Sequence, residues 1–244
     1  MTEIWCVRAG EVPYQRGVEA QSRLADARRA GEIPDVLLLL EHPPVYTKGR
    51  RAKPEELGMG EDWYRMQGIE VCEADRGGGV TYHGPGQLVG YPIVSLKPYR
   101  DDVGDYVARM ERVMVESLGE AGVPAQTIPG LTGVWTEGPP PAADPNPEAA
   151  RKIGSIGVHV SRGVTTHGFA INVSNDLQPF EWVIPCGIEG VAMTSLSREL
   201  GSQQPLEPFA TIVCDRFGAI YEREPVEVEL AELEARVGGL AAVG

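Results

Sequence analysis

A cysteine in "VIPCGI" stands between Pro185 and Gly187, and a lysine, Lys152, opens the alternating run "KIGSIGVHV". Proline fixes one backbone angle and lacks a donor, while glycine permits angles closed to other residues. Cys186 is therefore expected in a shaped turn, outside helix and central strand. A thiol in such a turn is either packed beside the core or a nucleophile. The nucleophile needs a lowered pKa, and hence a nearby cation or histidine. Lys152, His83, His159 and His167 are the candidates. Read by spacing, Lys152 is equally a solvated lysine at a strand end, and the two later histidines are equally structural members of a hairpin. The other three cysteines read as packing, with Cys6 and Cys72 in strand patterns and Cys214 on an apolar helix face.

A second constellation is "DRGGGVTYHGPGQ", residues 75 to 87. Three consecutive glycines let a ligand lie against bare backbone and offer it amide donors. The stretch lacks the GK[ST] ending of one phosphate loop and the GxGxxG-before-helix spacing of the other. Arg76, Thr81, Tyr82 and His83 surround the glycines. A ligand site and a tight structural turn both fit.

The bulk composition narrows what these residues could serve. A net charge of −13 disfavours nucleic acid as a partner, because phosphate binding needs a basic face. The longest aliphatic run, Val36 to Leu40, is far short of a membrane span. No basic-then-apolar leader is visible, so a cytoplasmic location is expected. Four cysteines in that setting imply free thiols, and the lack of CxxC or HxxxH spacing disfavours structural zinc. No cofactor is expected.

The positioning elements follow from pattern. "EIWCVRA" reads as a strand and Tyr14 to Ala30 as a helix stopped by Gly31. "DVLLLLEH" reads as a buried strand ended by Pro43 and Pro44, and residues 68–75 and 87–96 as strands flanking the glycine loop. Asp101 or Asp102 caps a helix running to about Ala121. Short strands follow, with "KIGSIGVHVS" and "VTTHGFAINVS" joined as a hairpin by "SRG". "PFATIVCDRFGAIYER" reads as a helix and Glu227 to Val237 as another. Residues 136–151, "TEGPPPAADPNPEAAR", hold five prolines and are expected to form an exposed mobile loop. The expectation is one α+β domain over 1–244, with a mixed, largely antiparallel sheet carrying helices on one side.

Taken together, "RGGGVTYHGPGQLVGYPI", "RKIGSIGVHVSRGVTTHGFAINVSNDL" and "VIPCGI" resemble the lipoyl(octanoyl) transferases, and "LLLLEHPPVYTKGR" resembles their early segment. The likeness covers roughly residues 3 to 220, with the motifs in the family's order. It implies the catalytic fold of biotin and lipoate protein ligases. It implies Cys186 as acyl-thioester nucleophile and Lys152 as the lysine that lowers its pKa. Arg76, Gly77, Gly78, Gly79, Val80, Thr81, Tyr82 and His83 match acyl-substrate-binding positions, as do Ser155, Ile156, Gly157, Gly168, Phe169 and Ala170. The implied donor is octanoyl-acyl carrier protein. The implied acceptors are lysines on lipoyl domains of 2-oxoacid dehydrogenases and on the glycine cleavage H protein. Two departures are visible: a longer proline-rich insert, and Gly154 where alanine is more usual. An ATP-dependent lipoate-protein ligase is the alternative; it needs no nucleophilic cysteine, which "IPCGI" speaks against. A Cys–His thiol hydrolase and a non-catalytic acyl-binding module are further rivals. The basic run Lys48, Arg50, Arg51, Lys53 is either a solvated loop or a dock for an acidic carrier protein.

Overall fold

The computed structural model describes residues 2–99, 102–136, 151–184 and 191–238. The chain opens with β1 (Thr2–Glu11), α1 (Tyr14–Ala30) and β2 (Asp35–Glu41). Gly31 ends α1 at φ 75°, where only glycine is comfortable. Then come β3 (Val45–Lys48), α2 (Glu61–Met66), β4 (Glu70–Glu73), β5 (Val80–His83) and β6 (Gln87–Ile93). The next elements are α3 (Val103–Glu120), β7 (Ala125–Ile128), β8 (Leu131–Thr136), β9 (Arg151–Ser161) and β10 (Val164–Asn172). The chain closes with β11 (Ala192–Met193), α4 (Leu196–Leu200), α5 (Leu206–Tyr221), β12 (Arg223–Glu227) and α6 (Leu230–Val237).

Nine strands form the main sheet in the order β12-β1-β2-β6-β10-β9-β8-β7, with β11 added beside β9. The β12–β1, β1–β2 and β11–β9 pairs are parallel, and the rest of the main sheet is antiparallel. This is the expected α+β architecture. Arg162 and Gly163 both take positive φ, 51° and 75°, in the tight β9–β10 turn.

Helices cover both faces of the sheet, where the sequence suggested one. Along β1, Ile4 and Cys6 join the core made with α3 and α5, while Trp5 and Val7 join the core made with α1 and Leu233 of α6. The unbroken apolar run of β2 has the same cause: a strand buried on both sides has no polar face to alternate.

Three further differences are local. A second sheet, ordered β4-β3-β5, pairs the expected strand within residues 68–75 with Val45–Lys48 and Val80–His83, which were not read as strands, so β5 lies inside the glycine-rich stretch. The tail helix starts at Leu230, because Arg223–Glu227 first pairs in parallel with β1. The ends of the expected proline-rich loop, Thr136 and Arg151, are buried strand residues; residues 137–150 lie outside the described ones. Among the described residues, no helix is long and apolar enough to cross a membrane.

Candidate active site

Lys152 is the second residue of β9 and only 3 % exposed. Its ammonium donates to the Thr132 carbonyl at 3.2 Å and lies 5.4 Å from the centre of the Trp135 ring. Gly133 makes this placement possible. Its φ is +120°, and a Cβ there would stand 2.6 Å from the Gly154 carbonyl oxygen and 2.9 Å from Lys152 Cε. Burying an ammonium is costly without compensation, so its position against a carbonyl and an aromatic face is informative.

Cys186 lies outside the described residues, but the chain on both sides of it is fixed. Before it, Ile184 donates to the Glu56 carbonyl at 3.1 Å. After it, β11 pairs with β9 in the register Ala192 to Arg151 and Met193 to Lys152. Thr194 then donates to the Lys152 carbonyl at 2.9 Å. Arg151 meets Glu199 of α4 at 2.9 and 3.1 Å, which pins the start of β9.

Further along β9 is a cavity of about 30 Å³ that opens to solvent. Ser155, Ile156 and Gly157 of β9 and Gly168, Phe169 and Ala170 of β10 line it. Arg76, Gly78, Thr81 and His83 close it from the glycine-loop side. Gly77, Gly79, Val80 and Tyr82 are not in its lining; Val80 and Tyr82 instead pack into the core beneath the second sheet. The glycine at 157 reflects close approach, since a Cβ there would stand 2.9 Å from Arg76 Cδ. At Gly154 a Cβ would run into the Met114 methyl, which fills the space an alanine would need.

Arg76 is a brace. Its guanidinium donates to Thr47 Oγ1 at 2.6 Å, to the Thr47 carbonyl at 2.7 Å, and to the Gly77 and Gly79 carbonyls at 3.0 Å. Glu56 supports the same loop by accepting from Val80 N at 2.7 Å. The loop is therefore held from both ends while its surface toward the cavity stays bare.

Of the groups considered as partners for the thiol, all three histidines have a hydrogen bond elsewhere. His83 bonds Gln87 Oε1 at 2.6 Å, and burial pushes its pKa down to about 3, so it is neutral. His167, with φ 55°, bonds Asp75 at 2.6 Å; burial outweighs the carboxylate and lowers its pKa. His159 accepts from Arg50 at 2.9 Å. Within the basic run, Lys48 is neutralised by Glu73 at 2.7 Å and Glu61 at 3.0 Å. Arg50, Arg51 and Lys53 remain exposed, and the amides of Arg50 and Arg51 bond the Arg76 and Gly78 carbonyls at 3.0 Å.

Sequence reasoning missed Tyr14, Val89 and Tyr91 as cavity residues, and it read His167 only as a possible partner for the thiol. Tyr14 is the first residue of α1 and fitted a helix start; nothing local says that this turn abuts the glycine loop. Its hydroxyl is buried without a hydrogen-bond partner among the described residues, and burial raises its pKa to about 12.

The lipoyl protein ligase A/B catalytic domain profile matches residues 13–218. An octanoyltransferase of Koribacter versatilis is 43% identical over 93% of this chain and 87% of its own. One from Solibacter usitatus is 43% identical over 90% of this chain and 94% of its own. Among solved structures, the bipartite lipoate protein ligase of Thermoplasma acidophilum superposes with a TM-score of 0.71. That match covers 97% of this chain and 91% of the other at 17% identity, a likeness of fold.

Proposed function

The chain belongs to the lipoyl protein ligase A/B catalytic-domain family, and from that premise we propose that it carries octanoyl groups from octanoyl-acyl carrier protein to lipoyl-domain lysines through a thioester on Cys186. It is an acyltransferase, and octanoyl transfer is the activity of its relatives. The observation that carries the finer reading is the pairing of β11 with Arg151 and Lys152, six residues downstream of Cys186. That pairing supports the reading by bringing the chain just downstream of Cys186 beside the strand that bears the buried ammonium.

The chemistry follows from charge. A cysteine thiol titrates near about 8.5, so little thiolate exists at neutral pH. An ammonium about 4 Å away stabilises the thiolate by on the order of 4 kcal/mol at an effective dielectric near 20, before desolvation takes part of that back. The thiolate attacks the donor carbonyl, the carrier's C–S bond breaks, and the carrier thiol leaves. With the thiolate consumed by acylation, the Lys152 ammonium gives a proton to the leaving carrier sulfur and is left as a neutral amine, which then accepts the proton released as the acceptor amine attacks. The cavity beside Gly78 and Gly157 takes the acyl chain. Each buried methylene is worth about 0.8 kcal/mol, so chain length is graded by the site. The acceptors fitting this reading are lipoyl domains of 2-oxoacid dehydrogenases and the glycine cleavage H protein.

Intact mass after mixing with octanoyl carrier protein tests it. One octanoyl group is expected on the wild type and none on Cys186→Ala. Lys152→Ala is expected to lower the acylation rate by at least about a hundredfold near neutral pH and to recover partly at alkaline pH. Wild-type rates with an unchanged pH profile in Lys152→Ala would remove the dyad. A requirement for ATP would favour the ligase reading instead.

A further inference from the structure

His83 lines the cavity with one ring nitrogen bonded and the other without a partner among the described residues. Which nitrogen carries the proton is decided two side chains away. The Thr194 carbonyl can only accept, so the Asn172 group 2.9 Å from it is the amide nitrogen. Asn172 Oδ1 therefore faces Gln87 Nε2, at 2.9 Å. The Tyr82 carbonyl takes the same Gln87 nitrogen at 3.2 Å. Gln87 must then present Oε1 to His83, and the proton sits on Nδ1. Nε2 is left as a lone pair, and burial keeps the ring neutral.

This chain of amides leads to Lys152, whose carbonyl accepts from Thr194 N at 2.9 Å. Strand register gives the same placement. Gln87 pairs with Asn172, and the neighbouring Ile171 pairs with Gly154, two residues from Lys152. Gly157 pairs with Gly168, four residues back along β10, or roughly 13 Å at about 3.3 Å per residue. Through Gln87, Asn172 and Thr194, hydrogen bonds therefore join His83 to the backbone at Lys152.

An aliphatic chain offers that lone pair no proton, and a thioester carbonyl is itself an acceptor. An N–H donor satisfies it. We propose that His83 Nε2 accepts a hydrogen bond from the amine attacking the acyl group, with Gln87 and Asn172 as the positioning residues that hold His83 in the required tautomer. The amine role rests on the thioester reading above. In that step the amine nitrogen bonds the acyl carbon, and the C–S bond breaks with its electron pair going to Cys186. One amine proton passes to the Lys152 amine. His83 holds the other N–H and gains no proton, so the nitrogen lone pair is aimed at the carbonyl carbon.

Long-range nitrogen-15 correlation spectra of the full-length enzyme, with His83 assigned by difference from His83→Gln, read the tautomer directly. A proton on Nδ1 and a bare Nε2 are expected in the wild type, with that single tautomer lost in Gln87→Met. A proton on Nε2, or an imidazolium near neutral pH, overturns the proposal. The two half-reactions are then separated by loading Cys186 from octanoyl carrier protein and afterwards adding a lipoyl domain. Gln87→Met is expected to slow transfer to the amine by about tenfold, the size of one lost hydrogen bond, and loading by less than about threefold. His83→Ala, which leaves Gln87 and Asn172 in place, is expected to show the same split. Equal slowing of both steps overturns the amine role. Absence of any adduct on wild-type Cys186 instead sinks the thioester reading, and the amine role with it, while the spectra still decide the tautomer.

Discussion

A methyl group placed on Gly90 would enter the ring of Phe169, with Cε1 2.5 Å and Cε2 2.7 Å away. Phe169 is 2 % exposed and lines the cavity, so the ring has little room to retreat. Gly90→Ala is expected to cost about 1–3 kcal/mol by chemical denaturation and to raise KM for the acyl donor. Two buried histidines set a second expectation. His42 donates from Nδ1 to the Val12 carbonyl at 2.6 Å and accepts from Tyr91 Oη at 2.6 Å, and burial pushes its pKa down to about 4. His83 is pushed to about 3. In the unfolded chain both bind a proton near about 6.5. Between that value and the folded ones the unfolded state holds more protons, so stability falls as pH drops. The slope approaches about 1.4 kcal/mol per pH unit for each histidine. Urea unfolding between about pH 6.5 and 4 should show it, and His42→Gln should remove about one proton's worth of slope.

The longer helices were the most legible elements, whereas α2 and α4, of six and five residues, were not expected from the sequence. Asp102 caps α3 by accepting from Gly104 N at 2.8 Å and Asp105 N at 3.1 Å, a bond the sequence proposed from residue type. Asp102→Ala is expected to cost about 1 kcal/mol in thermal or denaturant unfolding. Octanoyl transfer should be unchanged, since α3 packs in the core on the other side of β1 from α1, whose first residue lines the cavity. The β9–β10 hairpin was equally visible, because alternation and a two-residue turn are local signals. The short strands β3 and β5 were not. At four residues each, with Pro43 and Pro44 before one and three glycines before the other, they have no local pattern that separates strand from loop. Their pairing with each other stabilises them, and that pairing is non-local.

On the scale of the whole molecule, the carrier-protein donor proposed above, itself acidic, requires a local exception to the chain's own charge. Net charge is −13, yet Arg50, Arg51 and Lys53 stand exposed on a loop bonded to the glycine loop at the cavity wall. Lys48 drops out of this patch, because Glu61 and Glu73 already hold it. Arg50→Glu combined with Arg51→Glu is expected to lower kcat/KM for octanoyl carrier protein by about tenfold at low salt, and less at high salt. Use of a small octanoyl thioester should be unchanged; equal loss with both donors would mean the patch does not dock the carrier.

By itself the sequence determined the longer helices, the hairpin and the three motifs that carry family membership, because each is written in residues adjacent along the chain. Only tertiary structure decided that both faces of the sheet are covered, that Tyr14 and Tyr91 reach the cavity, and that Arg76 braces the glycine loop. The tautomer of His83 belongs with these. It follows from carbonyls at positions 82 and 194, which come within hydrogen-bonding range of Gln87 and Asn172 when the strands pair. Contacts between segments a hundred residues apart leave no periodic trace in either segment, since each has only to be compatible with the other.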